Sequence, residues 1–167
     1  PLLIPVVRGD FSKQNDILPG LGINSLFLYV EGPCLNNCIF CKQKKDFGYS
    51  DIFKLQAQLQ RNVELKALRL CIIGNEPLAH PGILRIISLA VQYGFLKVEI
   101  MTSGEALFDR KFASELIKRG VSSFSLPVFS DKAAQHDMIV GRRGSFLKLM
   151  QGIKNAKGLG AEVFVHS

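Results

Sequence analysis

Five short runs along the chain are largely apolar and rich in β-branched or aromatic residues: SLFLYV (25–30), LRLCIIG (68–74), KVEIMT (97–102), SSFSLPVF (122–129) and EVFVHS (162–167). Their length and weak polar alternation predict strands covered on both faces. Between them, DIFKLQAQLQRNVE (51–64), PGILRIISLAVQYG (81–94), EALFDRKFASELIKRG (105–120) and SFLKLMQGIKNAKGLG (145–160) repeat apolar residues every three or four positions, the period of a helix with one buried face. The punctuation agrees: Ser50 and Ser145 are placed to cap helix starts, Pro81 to open a first turn, and Gly94, Gly120 and Gly160 to end helices. The chain reads as an α/β domain of repeated β-α units with parallel strands. Right-handed crossovers turn such units into either a doubly wound sheet or a β/α barrel. In both, chemistry gathers in the loops after the C-terminal ends of the strands. A cysteine-rich loop follows the first strand, GNEP the second and TSG the third.

At 167 residues, 47% hydrophobic and 21% charged, the chain is long enough for one core and one domain. No apolar run approaches the roughly 20 residues of a membrane helix, and the opening PLLIPVVRGDFSKQ lacks the layout of a secretory signal. A soluble, cytoplasmic protein without a membrane partner is expected. The start at Pro1 and the end in AEVFVHS suggest a partial chain, with residues 1–24 an N-terminal extension and residues 25–167 a domain incomplete on its C-terminal side. The net charge of +7 is dispersed through KQKK, KFASELIKR, GRR and KNAK without interleaved aromatics, which argues against a nucleic-acid surface and leaves an anionic substrate or acidic partner as a lesser reading.

Three of the four cysteines, Cys34, Cys38 and Cys41, fall within GPCLNNCIFCK at residues 32–42. This is not the spread of a secreted disulfide framework, and a reducing compartment fits better. Gly32, Asn36 and Asn37 accept the tight backbone turns needed to close three thiolates around one centre. Structural zinc sites use four ligands, usually from two separated pairs, and no second pair exists here. Three thiolates suit an iron–sulfur cluster with one iron left open for another ligand.

CLNNCIFC (34–41) resembles the signature of the radical S-adenosylmethionine (SAM) enzymes, and the resemblance runs on in order through GNEP (74–77), TSG (102–104), SLPVFS (125–130) and HDMIVGRRGSF (136–146). It implies a partial (β/α) barrel with about five of the family's six β-α units present. It further implies that Cys34, Cys38 and Cys41 hold a 4Fe–4S cluster and that Phe40 lies against the adenine of SAM. Asn75 and Glu76 would position the methionyl amino group, largely through backbone carbonyls. Ser125 would face the methionyl carboxylate or the ribose, with Arg142 or Arg143 as carboxylate partner. The implied activity is reductive cleavage of SAM to methionine and a 5'-deoxyadenosyl radical, which takes a hydrogen atom from a substrate; the cofactor carries the hard step and the protein orients and excludes water. HDMIVGRRGSF is similar to the corresponding segment of members that modify peptides, so a peptide or protein substrate is favoured, a small molecule next and RNA third. An electron donor such as flavodoxin or ferredoxin is implied, and KQKK (42–45) offers an acidic donor a place to dock. The sequence departs from the family pattern at Asn75, in place of a glycine, and at Ser103, in place of an asparagine. The competing reading is a non-catalytic cluster-carrying or redox-sensing subunit. Phe40, GNEP and Ser125 argue against it, because an electron carrier needs no cofactor cleft.

For other residues the plainer reading wins. Cys71, inside an apolar run, is expected in the core. His80 is expected to cap a helix start, and His136 and Asp137 to serve structure more than acid–base chemistry. For His166 the period-two pattern leaves both faces open.

Overall fold

Parallel strands β1 (Ser25–Tyr29), β2 (Arg69–Ile73), β3 (Lys97–Met101), β4 (Val121–Pro127) and β5 (Glu162–His166) lie side by side in chain order, β1-β2-β3-β4-β5. The computed structural model describes residues 25–42 and 48–167, so the expected N-terminal extension (1–24) and most of KQKK lie outside the described residues. A doubly wound sheet reverses its strand order at a switch point. This sheet never does, and the barrel-type alternative is the one realised, as an open five-stranded sheet.

Among the described residues six helices connect and cover the strands: α1 (Ile52–Gln60), α2 (Asn62–Leu65), α3 (Ile83–Gln92), α4 (Arg110–Lys118), α5 (Ala133–Val140) and α6 (Ser145–Gly158). Two 3-10 turns, Pro77–Ala79 and Glu105–Phe108, follow β2 and β3. Right-handed crossovers advancing in one direction put the helices on one face. That face holds the core. Leu28, Ile72, Ile100, Phe124 and Val163 form one continuous row across all five strands, the first four fully buried. α3 seals it with Ile83, Ile86, Ile87 and Ala90, the i, i+3, i+4, i+7 set of an amphipathic helix.

The strands are therefore not covered on both faces as expected. By alternation, the opposite face carries Phe27, Cys71, Glu99, Ser123 and Glu162 in one row and Tyr29, Ile73, Met101, Ser125 and Phe164 in the next. The physical reason is that crossovers of one hand supply helices to one side only. A register shift between Val98 and Glu99 opposite β4 sets Ser123 and Ser125 on this second face.

Cap positions differ from expectation by one residue in two places. Asp51, not Ser50, caps α1 by accepting from Phe53 N, because the Ser50 hydroxyl is taken by the Glu31 amide at 2.8 Å. Gly144, not Ser145, stands at the start of α6. The helix expected over 105–120 is broken at Asp109, whose carboxylate accepts from Lys111 N and Phe112 N and starts α4 afresh. Asp109→Ala should cost about 1 kcal/mol, read as a lowered urea midpoint with an unchanged slope. Gly94, Gly120 and Gly160 end their helices as expected.

Candidate functional site

Because all five strands run the same way, the loops that follow them emerge on one rim. After β1 the chain continues one more pairing, Val30 N donating to Ile73 O at 2.7 Å, and enters the cysteine loop. Two glycines let this loop lie against the loop after β2. Gly74 has φ +151°, and a Cβ there would run into the carbonyl of Val30. A Cβ on Gly32 would come within 2.7 Å of Glu76 O and 3.1 Å of His80 N. Neither position has room for a side chain. The left-handed backbone in GNEP belongs to Gly74, so Asn75 needs no unusual conformation to stand where the family has glycine. The Asn75 side chain accepts from Tyr29 OH at 3.4 Å.

Glu76 is buried, and its carboxylate ties two loops together. It accepts from Leu78 N at 3.3 Å and Ser103 N at 3.0 Å, and from the hydroxyls of Thr102 and Ser103. The loops after β2 and β3 are thus one hydrogen-bonded unit, and Ser103, the departure from the family's asparagine, is one of its donors. The Glu76 backbone carbonyl accepts from Ala79 N at 3.0 Å within the following turn.

Cys34, Cys38 and Cys41 all lie on the cysteine loop, with Cys41 N bonded to Cys38 O at 3.0 Å. Burial pushes the Cys34 thiol up; the Asn36 backbone amide opposes this, while Glu76, Cys41 and Glu105 add to it. Cys34 is consequently a protonated thiol in an acidic neighbourhood, unlike the depressed thiol of a nucleophilic cysteine. Phe40 is half exposed and packs edge-on against Phe129, ring centres 5.0 Å apart. Phe129 in turn stacks on His136, and His136 meets Phe146 edge-on.

Ser125, on the face away from the helices, lies 3.3 Å from Nδ1 of His166. Burial lowers the His166 pKa, so the neutral imidazole is the form that shares this contact near neutral pH. His166 thereby belongs to the rim face and not the core. Arg142 pairs with Glu105 at 3.1 Å, and Ser145 Oγ donates to the same carboxylate at 2.8 Å. Arg143 is exposed beside Asp137.

His136 and Asp137 both make contacts that hold the fold together. His136 is buried, which lowers its pKa, and its Nδ1 accepts from Phe129 N at 3.3 Å. For Asp137, desolvation works to raise the carboxyl, but the amides of Phe146 and Gly144, then His136 and Arg143, outweigh it and hold the pKa low. Its bond to Phe146 N makes it the remote cap of α6. His80 acts as a cap through Nδ1, which accepts from Gly82 N at 3.0 Å, and Nε2 lies 2.8 Å from Ser50 O. Cys71 departs from expectation: it is half-buried on the face opposite the core, beside the Arg69–Glu99 pair, and burial first and Glu99 second push its thiol to about 11.

Sequence reasoning passed over Tyr29, Glu105 and Phe129. Glu105 alone carried a signal, as an acid directly after TSG.

The family model of the radical SAM superfamily matches residues 32–167, from the start of the cysteine loop to the last residue. This chain belongs to the radical SAM superfamily. No curated protein matches it. Among solved structures it is similar to anSMEcpe with bound AdoMet and Cp18Cys peptide (TM-score 0.68, 18% identity, 84% of this chain and 42% of that one). It is similar also to methylornithine synthase PylB (0.67, 12%, 84% and 43%) and to the FeFe-hydrogenase maturase HydG from Carboxydothermus hydrogenoformans (0.63, 17%, 84% and 35%). At these identities the likeness is one of fold, and it identifies the open parallel sheet as the partial barrel of the radical SAM type. The chain spans between 35% and 43% of the length of these three neighbours.

The radical SAM family uses a 4Fe–4S cluster and SAM. The residues present fit these groups by donor chemistry. Three soft sulfur donors sit on one loop, Cys34 and Cys41 are near enough to affect each other's ionisation, and glycines at 32 and 74 clear the space between the two loops. The sulfurs are not drawn together in advance: among the described residues, no three His, Cys, Asp or Glu side chains form a ready metal-binding group.

Proposed function

We propose that this chain is the catalytic core of a radical SAM enzyme, an oxidoreductase-type catalyst acting on a peptide or protein. The observation that carries the reading is the single rim: the cysteine loop, the GNEP and TSG loops joined through Glu76, and Ser125 all emerge on or near one end of one sheet. A bare electron carrier has no use for the last three.

In this reading Cys34, Cys38 and Cys41 hold the 4Fe–4S cluster, and Phe40 lies against the adenine. Asn75 and Glu76 orient the methionyl amino group. Ser125 faces the methionyl carboxylate or ribose, with Arg142 as the carboxylate's partner. When bound, cluster and SAM together supply one-electron cleavage of a carbon–sulfur bond, giving methionine and a 5'-deoxyadenosyl radical that takes hydrogen from the substrate. The protein's own residues bind, orient and exclude water. Glu76 and Glu105, which raise the Cys34 thiol, make the neighbourhood favourable to the cationic amino and sulfonium groups of SAM. Arg142 balances Glu105 and is close by for a carboxylate.

The peptide class rests on HDMIVGRRGSF, since neighbours of nearly equal similarity include a maturase and a methylornithine synthase as well as a peptide-bound enzyme. Flavodoxin or ferredoxin is the proposed electron donor. The proposed setting is cytoplasmic; among the described residues no helix is long and apolar enough to cross a membrane.

The test is direct. Protein reconstituted without oxygen, reduced with dithionite and given SAM should release 5'-deoxyadenosine, detected by chromatography. An intact cluster with no nucleoside released would favour the cluster-carrying subunit instead.

A further inference from the structure

We infer that the C-terminal end of α5 is a built seat for the cysteine loop, with Gly141 as its positioning residue; the inference rests on the reading that this loop holds the cluster. A helix ends with carbonyls that have no partner within it, and each needs one from elsewhere. In α5 the accounting closes. Asp137 O accepts from Arg142 N at 3.0 Å and Met138 O from Gly141 N at 3.3 Å, both local. The remaining two are taken by the cysteine loop: Val140 O accepts from Asn37 N at 2.7 Å, and Ile139 O from Ile39 N at 2.9 Å. Asn37 and Ile39 flank Cys38. The middle cysteine is held from both sides by a helix that supplies no ligand.

Gly141 makes this approach possible. Its backbone is left-handed, φ +64°, and a Cβ there would be driven into the carbonyl of Asn37. Three residues on, Gly144 is also left-handed, φ +81°, but a Cβ there meets nothing within 4 Å. Two glycines in one turn thus have different reasons to be glycine: conformation alone at 144, conformation and contact with the loop at 141.

The seat has an electronic side. The amides of Asn37, Ile39 and Cys41 are committed to carbonyl oxygens. Hydrogen bonds to sulfur help set a cluster's potential, and fewer of them keep it electron-rich and low in potential. Releasing the loop frees two amides beside Cys38.

The experiment has two arms on the full chain. First, hydrogen exchange before reconstitution: the amides of Asn37 and Ile39 should exchange at least about tenfold more slowly than exposed loop amides, equivalent to about 1.4 kcal/mol of opening free energy. Second, Gly141→Asn against Gly144→Asn, asparagine being a residue that tolerates left-handed backbone. Gly144→Asn should load iron as the parent does. Gly141→Asn should retain a minor share, and the cluster it retains should have a raised reduction potential at unchanged helix content. Fast exchange at both amides overturns the seat, and so does a Gly141→Asn protein with the iron content and potential of Gly144→Asn. Should Gly141→Asn fail to fold, the exchange arm decides. Because that arm needs no metal, failure of the cluster assignment and failure of the seat are told apart.

Discussion

Alanine at Cys34, Cys38 and Cys41 together is expected to remove the iron and the brown colour of the anaerobically purified protein completely, while Cys71→Ala keeps both. The contrast follows from where the four sulfurs lie. The first three share one loop on the rim; Cys71 sits mid-strand in β2, opposite Phe27 and Glu99, with a thiol at about 11. A thiol so high gives up its proton less readily than an ordinary one, and its strand sets it apart from the rim loop that carries the other three. Among the described residues no other cluster of ligating side chains stands ready to substitute. The raised Cys34 thiol adds a pH dependence with a definite sign: iron must displace its proton, so loading of the unmodified protein should improve as pH rises. Iron and sulfide analysis with the visible spectrum checks all of this. Zinc in place of iron, or bleaching by Cys71→Ala, would overturn the assignment.

Glu76→Ala is the substitution expected to cost most in stability, about 3 kcal/mol by chemical denaturation, since a buried carboxylate leaves four donors behind. Glu76→Gln keeps the volume but turns an NH2 group toward donors, so it should recover only part of that loss. Ser103→Ala made in the Glu76→Ala background should add little to its cost, because the two residues share one network. A loss below about 1 kcal/mol for Glu76→Ala would mean that the loops after β2 and β3 are not tied in solution.

The strands were legible because their helix-facing residues, such as Leu28, Ile72 and Ile100, are apolar and the residues between them are mostly apolar too, which makes SLFLYV and LRLCIIG stand out as strand-length runs. What apolar content could not reveal is that only one face is packed; Cys71 was misjudged for that reason. α5 was missed because HDMIV shows no helical apolar stripe: its buried residues are His136 and Val140, and His136 is held by Phe129 and Phe146 from outside the helix. The Ser50/Asp51 cap turned on a competitor 19 residues upstream, the Glu31 amide, which no local rule contains. At the site, the residues on each strand end could be read one loop at a time. The bonds between loops, Glu76 to Thr102 and Ser103 or Arg142 to Glu105, join positions 26 to 37 apart and exist only once the sheet has aligned them.

The contact between Asn37 and Val140 also bears on when the site comes into being. Its two halves are separated by about a hundred residues, and at synthesis rates of about 5–20 residues per second the loop leaves the ribosome several seconds before the helix that completes it. Closing a loop of that length costs about 0.6 kcal/mol more for each doubling over a short one, so distance along the chain bears on timing as well as on stability. Among the described residues β1 pairs with β2, and its loop acquires the α5 anchor only after β2, β3 and β4 have been made. The thiols are thus displayed on a newborn chain before the surface that fixes their spacing exists. Metal delivered at that stage meets a tether, whereas metal delivered after α5 has docked meets a site.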